Sequence, residues 1–83
     1  MGYFVYLLEC SDNSLYCGHT VDLEQRIKQH NAGTGGGYTR AQLPVKLVYS
    51  ENVLGRKKAM HREMEIKQFS RKQKKALIEK SAE

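Results

Sequence analysis

Eighty-three residues suffice for one domain near the lower size limit for a self-sufficient core, and the chain reads as a single domain over 1–83. Fourteen Lys and Arg against nine Asp and Glu give a net charge of +5, which favours anionic partners, nucleic acid first. No apolar run approaches the ~20 residues that cross a bilayer, the opening residues lack signal-peptide features, and two cysteines are too few for a disulfide scaffold. A cytoplasmic protein without membrane attachment or a small-molecule cofactor is expected.

Residues 3–9 are aromatic and β-branched, and apolar on both faces, as in a central strand. Ser11-Asp12-Asn13 then turns the chain back into a second strand over 14–19. Register decides what the tyrosines can share. A two-residue turn at Asp12-Asn13 pairs Ser11 with Ser14 and puts Tyr6 and Tyr16 on opposite faces. An odd-length loop pairs Cys10 with Ser14 and Leu8 with Tyr16. The tyrosines then become diagonal neighbours on one face, about 7 Å apart. That register also separates Cys10 from Cys17. It is the expected one, because shared tyrosine chemistry requires it. A zinc site from Cys10, Cys17, His19 and His30 has no standard ligand spacing, so buried structural thiols are expected.

Asp22 followed by Gln25 is an N-terminal capping signal for a helix from about Asp22 to Asn31, with Glu24 suiting the dipole. At ~100° per residue, Leu23, Ile27 and His30 share one narrow arc, with Arg26 at its edge. Ala32-Gly33 stops the helix. The run Gly33 to Gly37 is expected to form a mobile loop; it lacks the terminal Lys-Ser or Lys-Thr of a P-loop. Tyr38-Thr39-Arg40 follow.

After Pro44, Val45, Leu47 and Tyr49 alternate with Lys46, Val48 and Ser50, which predicts a third strand beside the hairpin. A second helix is expected from Gly55 to Phe69. A last helix opens on Ser70 and Gln73, again a capping signal. It sets Arg71, Lys72, Lys74, Lys75 and Lys80 beside Ala76, Leu77 and Ile78, a basic helix docked by a thin apolar stripe.

The second helix carries an acid on its apolar side. With Ala59 at zero on the wheel, Ile66, Met60 and Met64 span an arc with Glu63 in its middle, at about 40°. An acid so placed must be paired, hydrogen-bonded or bound to a cation. Arg56 and Lys67 are the candidate partners. A hard divalent ion is the alternative, since Mg²⁺ commonly takes one or two carboxylates and fills its sphere with water and phosphate oxygens.

Tyr6, Tyr16-Cys17-Gly18, Arg26, His30 and Glu63, in this order and at these spacings, resemble the GIY-YIG nuclease domain. Tyr38-Thr39-Arg40, Pro44 to Tyr49 and Arg62-Glu63 to Lys67 look closer still to the small stand-alone bacterial GIY-YIG proteins. The resemblance spans residues 3–78. It implies an α/β (α+β) fold, a three-stranded antiparallel sheet flanked by about three helices. It also implies a divalent-metal-dependent endonuclease on nucleic acid, DNA ahead of RNA, of a structure-selective kind suited to repair or recombination. Tyr6 and Tyr16 would line the site and Arg26 would hold the scissile phosphate. His30 would assist near the phosphate or leaving group, and Glu63 would bind one Mg²⁺ or Mn²⁺. Gly18, Tyr38, Arg40, Lys67, Arg71, Lys72, Lys74 and Lys75 would contact substrate.

These residue types suit phosphodiester hydrolysis. One metal polarises the phosphate and acidifies a bound water, Arg26 offers a planar fork, and Tyr16 is the candidate base if the metal and nearby cations lower its pKa. The half-motifs here are Phe4-Val5-Tyr6 and Tyr16-Cys17-Gly18, short of the full family letters. The asparagine that many members carry after the glutamate is missing, since nothing beyond Asn52 is Asn. Either Lys67 takes part of that role, or the chain is a catalytically weak or inactive nucleic-acid-binding module of the same fold.

Overall fold

The computed structural model describes residues 2–34 and 42–81, so most of the glycine-rich run, with Tyr38 and Arg40, lies outside the described residues. Strand β1 (Gly2–Glu9) is followed by β2 (Leu15–Thr20), helix α1 (Leu23–Asn31), β3 (Lys46–Leu54), α2 (Arg56–Lys67) and α3 (Arg71–Ser81). The three strands form one antiparallel sheet in the order β2-β1-β3. The expected α+β architecture is the one found. β1 is central because Val5, Leu7 and Leu8 are fully buried and Tyr6 nearly so, on both faces of the sheet.

The hairpin takes the odd-length loop. The Cys10 N–H donates to the Ser14 carbonyl and the Asn13 N–H to the Cys10 carbonyl, both at 2.9 Å. Asn13 sits at φ 68, a left-handed conformation that asparagine tolerates. Asp12 Oδ1 accepts from the Ser14 N–H and hydroxyl, which fixes the turn. Leu8 therefore faces Tyr16 and Tyr6 faces Gly18, and the two tyrosines share a face as expected.

Each face of the sheet carries its own core. On one side Val5, Leu7 and Cys17 meet Ala59 and Ile66 of α2, with Tyr49, Phe69, Leu77 and Ile78 packed around them. On the other, Tyr6, Leu8, Cys10 and Val45 meet Tyr16 and the α1 residues Leu23 and Ile27. Cys10 and Cys17 are buried free thiols on opposite faces, and burial pushes the Cys17 thiol up to about 12.

Helix ends follow the sequence signals. Asp22 accepts from the Gln25 N–H at 3.1 Å. Ser70 and Gln73 cap each other reciprocally, at 2.8 and 3.2 Å. The Asn31 side chain bonds both the N–H and the carbonyl of Val45, tying the end of α1 to the segment before β3.

Two expectations need correction. The alternation across β3 is interrupted: Leu7 pairs with Tyr49 but Leu8 with Leu47, so Val48 is an extra residue. Val48 and Tyr49 both reach the α2-side core as a result. The apolar arc of α2 is also narrower than its composition suggests. Only Ala59 and Ile66 are buried, whereas Met60 and Met64 are 43% and 58% exposed. Glu63 thus flanks the buried stripe instead of sitting in its middle, and Arg62 flanks the other side. There Arg62 pairs with Glu51 at 3.0 Å and Glu65 at 2.6 Å.

Candidate active site

Edge strand β2 positions the candidate residues, because successive side chains alternate between its two faces. Tyr16 and Gly18 point toward α1; Cys17 and His19 point toward α2. Across from Gly18, Tyr6 lies in the space that a larger residue would fill. A β-carbon built on Gly18 falls 2.6 Å from Tyr6 Oη, 2.8 Å from its Cζ and 3.3 Å from Tyr16 Cε2. The glycine is what lets the two rings close over the strand. Gly18→Ala is therefore expected to cost about 1–3 kcal/mol by overpacking and to displace Tyr6. Urea melts of the variant measure the cost, and parent-like stability would mean that the rings are not confined there.

His30 comes up from α1 to complete this side. It is fully buried, its Nε2 lies 3.3 Å from Tyr6 Oη, and its ring stands edge-on to both Tyr6 and Tyr16, with centroids 6.2 and 5.4 Å apart. Burial, reinforced by the charge of half-buried Arg26, holds the His30 pKa below its ordinary value. Burial also drives the Tyr6 phenol well above its ordinary range; neighbouring Tyr16 and the Glu63 charge add to this, and Arg26 opposes it. With Tyr6 protonated and His30 neutral, the bond is assigned as Tyr6 O–H donating to Nε2.

The His30 shift carries a pH signature. The folded state disfavours the imidazolium, so the stability linked to His30 is fully present above about pH 6.5 and falls as pH drops toward the lowered folded value. Melting temperature is expected to decline between pH 7.5 and 5.5, and His30→Gln should flatten that decline. Parallel pH profiles for the two proteins would contradict the assignment.

Glu63 approaches from the opposite face. Its Oε1 is 2.5 Å from His19 Nδ1, and its Oε2 is 2.7 Å from Lys67 Nζ. Burial by itself would raise the Glu63 pKa, but the hydrogen bonds from Lys67 and His19 outweigh it and hold the group below its ordinary value. The carboxylate is ionised at neutral pH. Of the two partners expected for it, Lys67 makes the ion pair. The Glu63 charge also bears on Tyr6, and that of Lys67 is felt by Cys17.

The sequence-predicted residues thus form two groups on either side of Gly18: Tyr6, Tyr16, Arg26 and His30 on one, Glu63 and Lys67 on the other. Farther away, Arg71, Lys72 and Lys75 share the outer face of α3, lining a shallow hollow there. Lys74 turns inward, half-buried, and its charge reaches Cys17. The sequence suggests His19 only as a zinc ligand. Strand alternation places it with Cys17 and away from Cys10 and His30, and among the described residues no three His, Cys, Asp or Glu are grouped so that together they could hold a metal ion.

The sequence of residues 2–76 matches the model of the GIY-YIG catalytic domain. The chain belongs to the GIY-YIG family. A UPF0213 protein of Staphylococcus haemolyticus is 52% identical over 77 residues, covering 93% of this chain and 94% of that protein. A UPF0213 protein of Haloquadratum walsbyi is 47% identical over 81 residues, covering 98% and 91%. The solution structure of a Bacillus halodurans UPF0213 protein superposes with a TM-score of 0.61 at 42% identity, covering 95% of this chain and 84% of that one. A second solution structure, from E. faecalis, gives a TM-score of 0.66 at 34% identity, covering 99% and 88%.

GIY-YIG domains are nuclease domains that generally depend on a divalent metal. The residues here fit such an ion: one ionised carboxylate, 17% exposed, is reachable from solvent past a lysine that is itself 50% exposed. One carboxylate with water and phosphate oxygens is a sufficient set for Mg²⁺. No helix among the described residues is long and apolar enough to cross a membrane.

Proposed function

We propose that this chain is a divalent-metal-dependent endonuclease that hydrolyses phosphodiester bonds, DNA ahead of RNA, as a single cytoplasmic domain. The observation that carries the reading is the arrangement around Gly18: two tyrosines and a neutral histidine on one side, an ionised carboxylate on the other. Glu63 would hold one Mg²⁺ or Mn²⁺. Bound there, the ion supplies polarisation of the phosphate and acidification of a water.

The chain's own groups do the rest. Arg26 clamps the non-bridging phosphate oxygens through its guanidinium fork. Tyr16, as the tyrosinate, would take the proton of the attacking water and return to the neutral phenol. Tyr6 remains a protonated phenol whose hydrogen bond fixes His30, and the buried neutral imidazole holds the Tyr6 and Tyr16 rings in place behind the phosphate. Lys67 and the α3 cations Arg71, Lys72, Lys74 and Lys75 would contact the strand, as would Tyr38 and Arg40, which lie outside the described residues. Binding should accordingly weaken with salt, each phosphate contact contributing about −0.9 to the logarithmic slope on duplex DNA.

One observation favours a second reading. Both Glu63 oxygens already have partners, as expected of a binding module whose carboxylate has become a structural ion pair. Incubating the protein with branched, nicked, single-stranded and duplex substrates, in Mg²⁺, Mn²⁺ or chelator, separates the two. Metal-dependent cutting of at least one substrate is expected. Salt-sensitive binding without cutting in any condition would leave the module reading standing.

A further inference from the structure

We propose that His19 is the positioning residue for Glu63, pinning one carboxylate oxygen so that the other is presented to a divalent cation. This rests on the metal-assisted reading above.

The two partners of Glu63 differ in how firmly they can hold it. His19 projects from β2 immediately after Gly18, is 28% exposed, and lies against the Tyr3 ring at a centroid distance of 6.3 Å. An imidazole has two side-chain torsions, and here the strand, the Tyr3 ring and the carboxylate fix both. Lys67 reaches Oε2 from one turn along the same helix through a four-carbon chain that is 50% exposed. Ion pairs of that kind contribute little, because solvent screens them and the side chain loses rotamer freedom to make them.

An arriving cation therefore displaces Lys67 from Oε2 with ease, while Oε1 remains on His19. A carboxylate held at one oxygen meets the ion without first losing its own rotational freedom. Partners of this kind behind a metal ligand typically govern affinity by about 10–100-fold. The arrangement needs an N–H at the Nδ1 position, and an asparagine side chain places its amide N–H close to that point.

Mn²⁺ affinity, read by electron paramagnetic resonance on the full chain without substrate, tests this in the parent, His19→Ala, His19→Asn and Lys67→Met, with melting curves recorded beside. His19→Ala is expected to weaken Mn²⁺ binding by about 10–100-fold, His19→Asn to recover most of the loss, and Lys67→Met to bind as tightly as the parent or more so. The proposal is overturned if His19→Ala binds like the parent, if asparagine fails to rescue, or if Lys67→Met shows the larger loss. In each of those cases the parent still binds, and the metal-assisted reading survives. A parent that binds no Mn²⁺ removes that reading and this proposal with it.

Discussion

Glu63→Gln is expected to reduce metal-assisted cleavage by about 10²–10⁴-fold while leaving the chain folded. A metal that neutralises charge on the phosphate supplies several kcal/mol of transition-state stabilisation, and each 1.36 kcal/mol is tenfold in rate. Glutamine keeps the shape of the side chain and an oxygen for His19, but removes the charge that would hold the ion. The stability cost should be small. Lys67 is half in solvent, so stranding its charge costs up to ~1 kcal/mol, against about 3 kcal/mol or more for a fully buried pair. Single-turnover cleavage and urea melts of the same preparation read both quantities. Unchanged cleavage would remove Glu63 from the chemistry. A loss of stability in the buried-pair range would make the carboxylate structural instead.

Ile66→Ala should have the largest effect on folding, about 2–5 kcal/mol. Ile66 is fully buried among Val5, Leu7, Cys17 and Ala59, and is the larger of the two side chains that α2 buries in the sheet. Against a total of about 5–15 kcal/mol for a domain, that loss would leave part of the population unfolded. It would also loosen the site, because Glu63 and Lys67 flank Ile66 on the same helix. Met64→Ala, at a position 58% exposed, should stay within about 0.5 kcal/mol of the parent. Similar urea midpoints for the two variants would contradict the assignment of the core.

What was legible in the sequence were the features set by local chemistry. Asp22 with Gln25 and Ser70 with Gln73 form the caps that their spacing announces. Ser11-Asp12-Asn13 closes the odd-length loop because Asn13 accepts a left-handed conformation and Asp12 bonds Ser14. That turn alone puts Tyr6 and Tyr16 on one face.

Features that depend on distant partners were not legible. The bulge at Val48 follows from how β3 must lie on β1, and an alternating sequence does not announce it. Met60 and Met64 match the helical period, yet the sheet under α2 is wide enough to bury only Ala59 and Ile66. The pairing of His19 with Glu63 is hidden for the same reason. Strand alternation fixes the face of His19, but its partner Glu63 is 44 positions away. The network of Tyr49, Glu51 and Arg62 on the far flank of α2 is likewise assembled only by the fold.

If the groups on the two sides of Gly18 serve one metal-assisted site, Mn²⁺ titration followed by paramagnetic broadening in amide NMR spectra reveals it most directly. The amides of residues 16–19 and of Glu63 should broaden first, with Tyr6 and His30 next, and Glu63→Gln should abolish the effect. Sharp signals throughout that region, or broadening centred instead on the exposed acids Glu65 or Glu79, would contradict it.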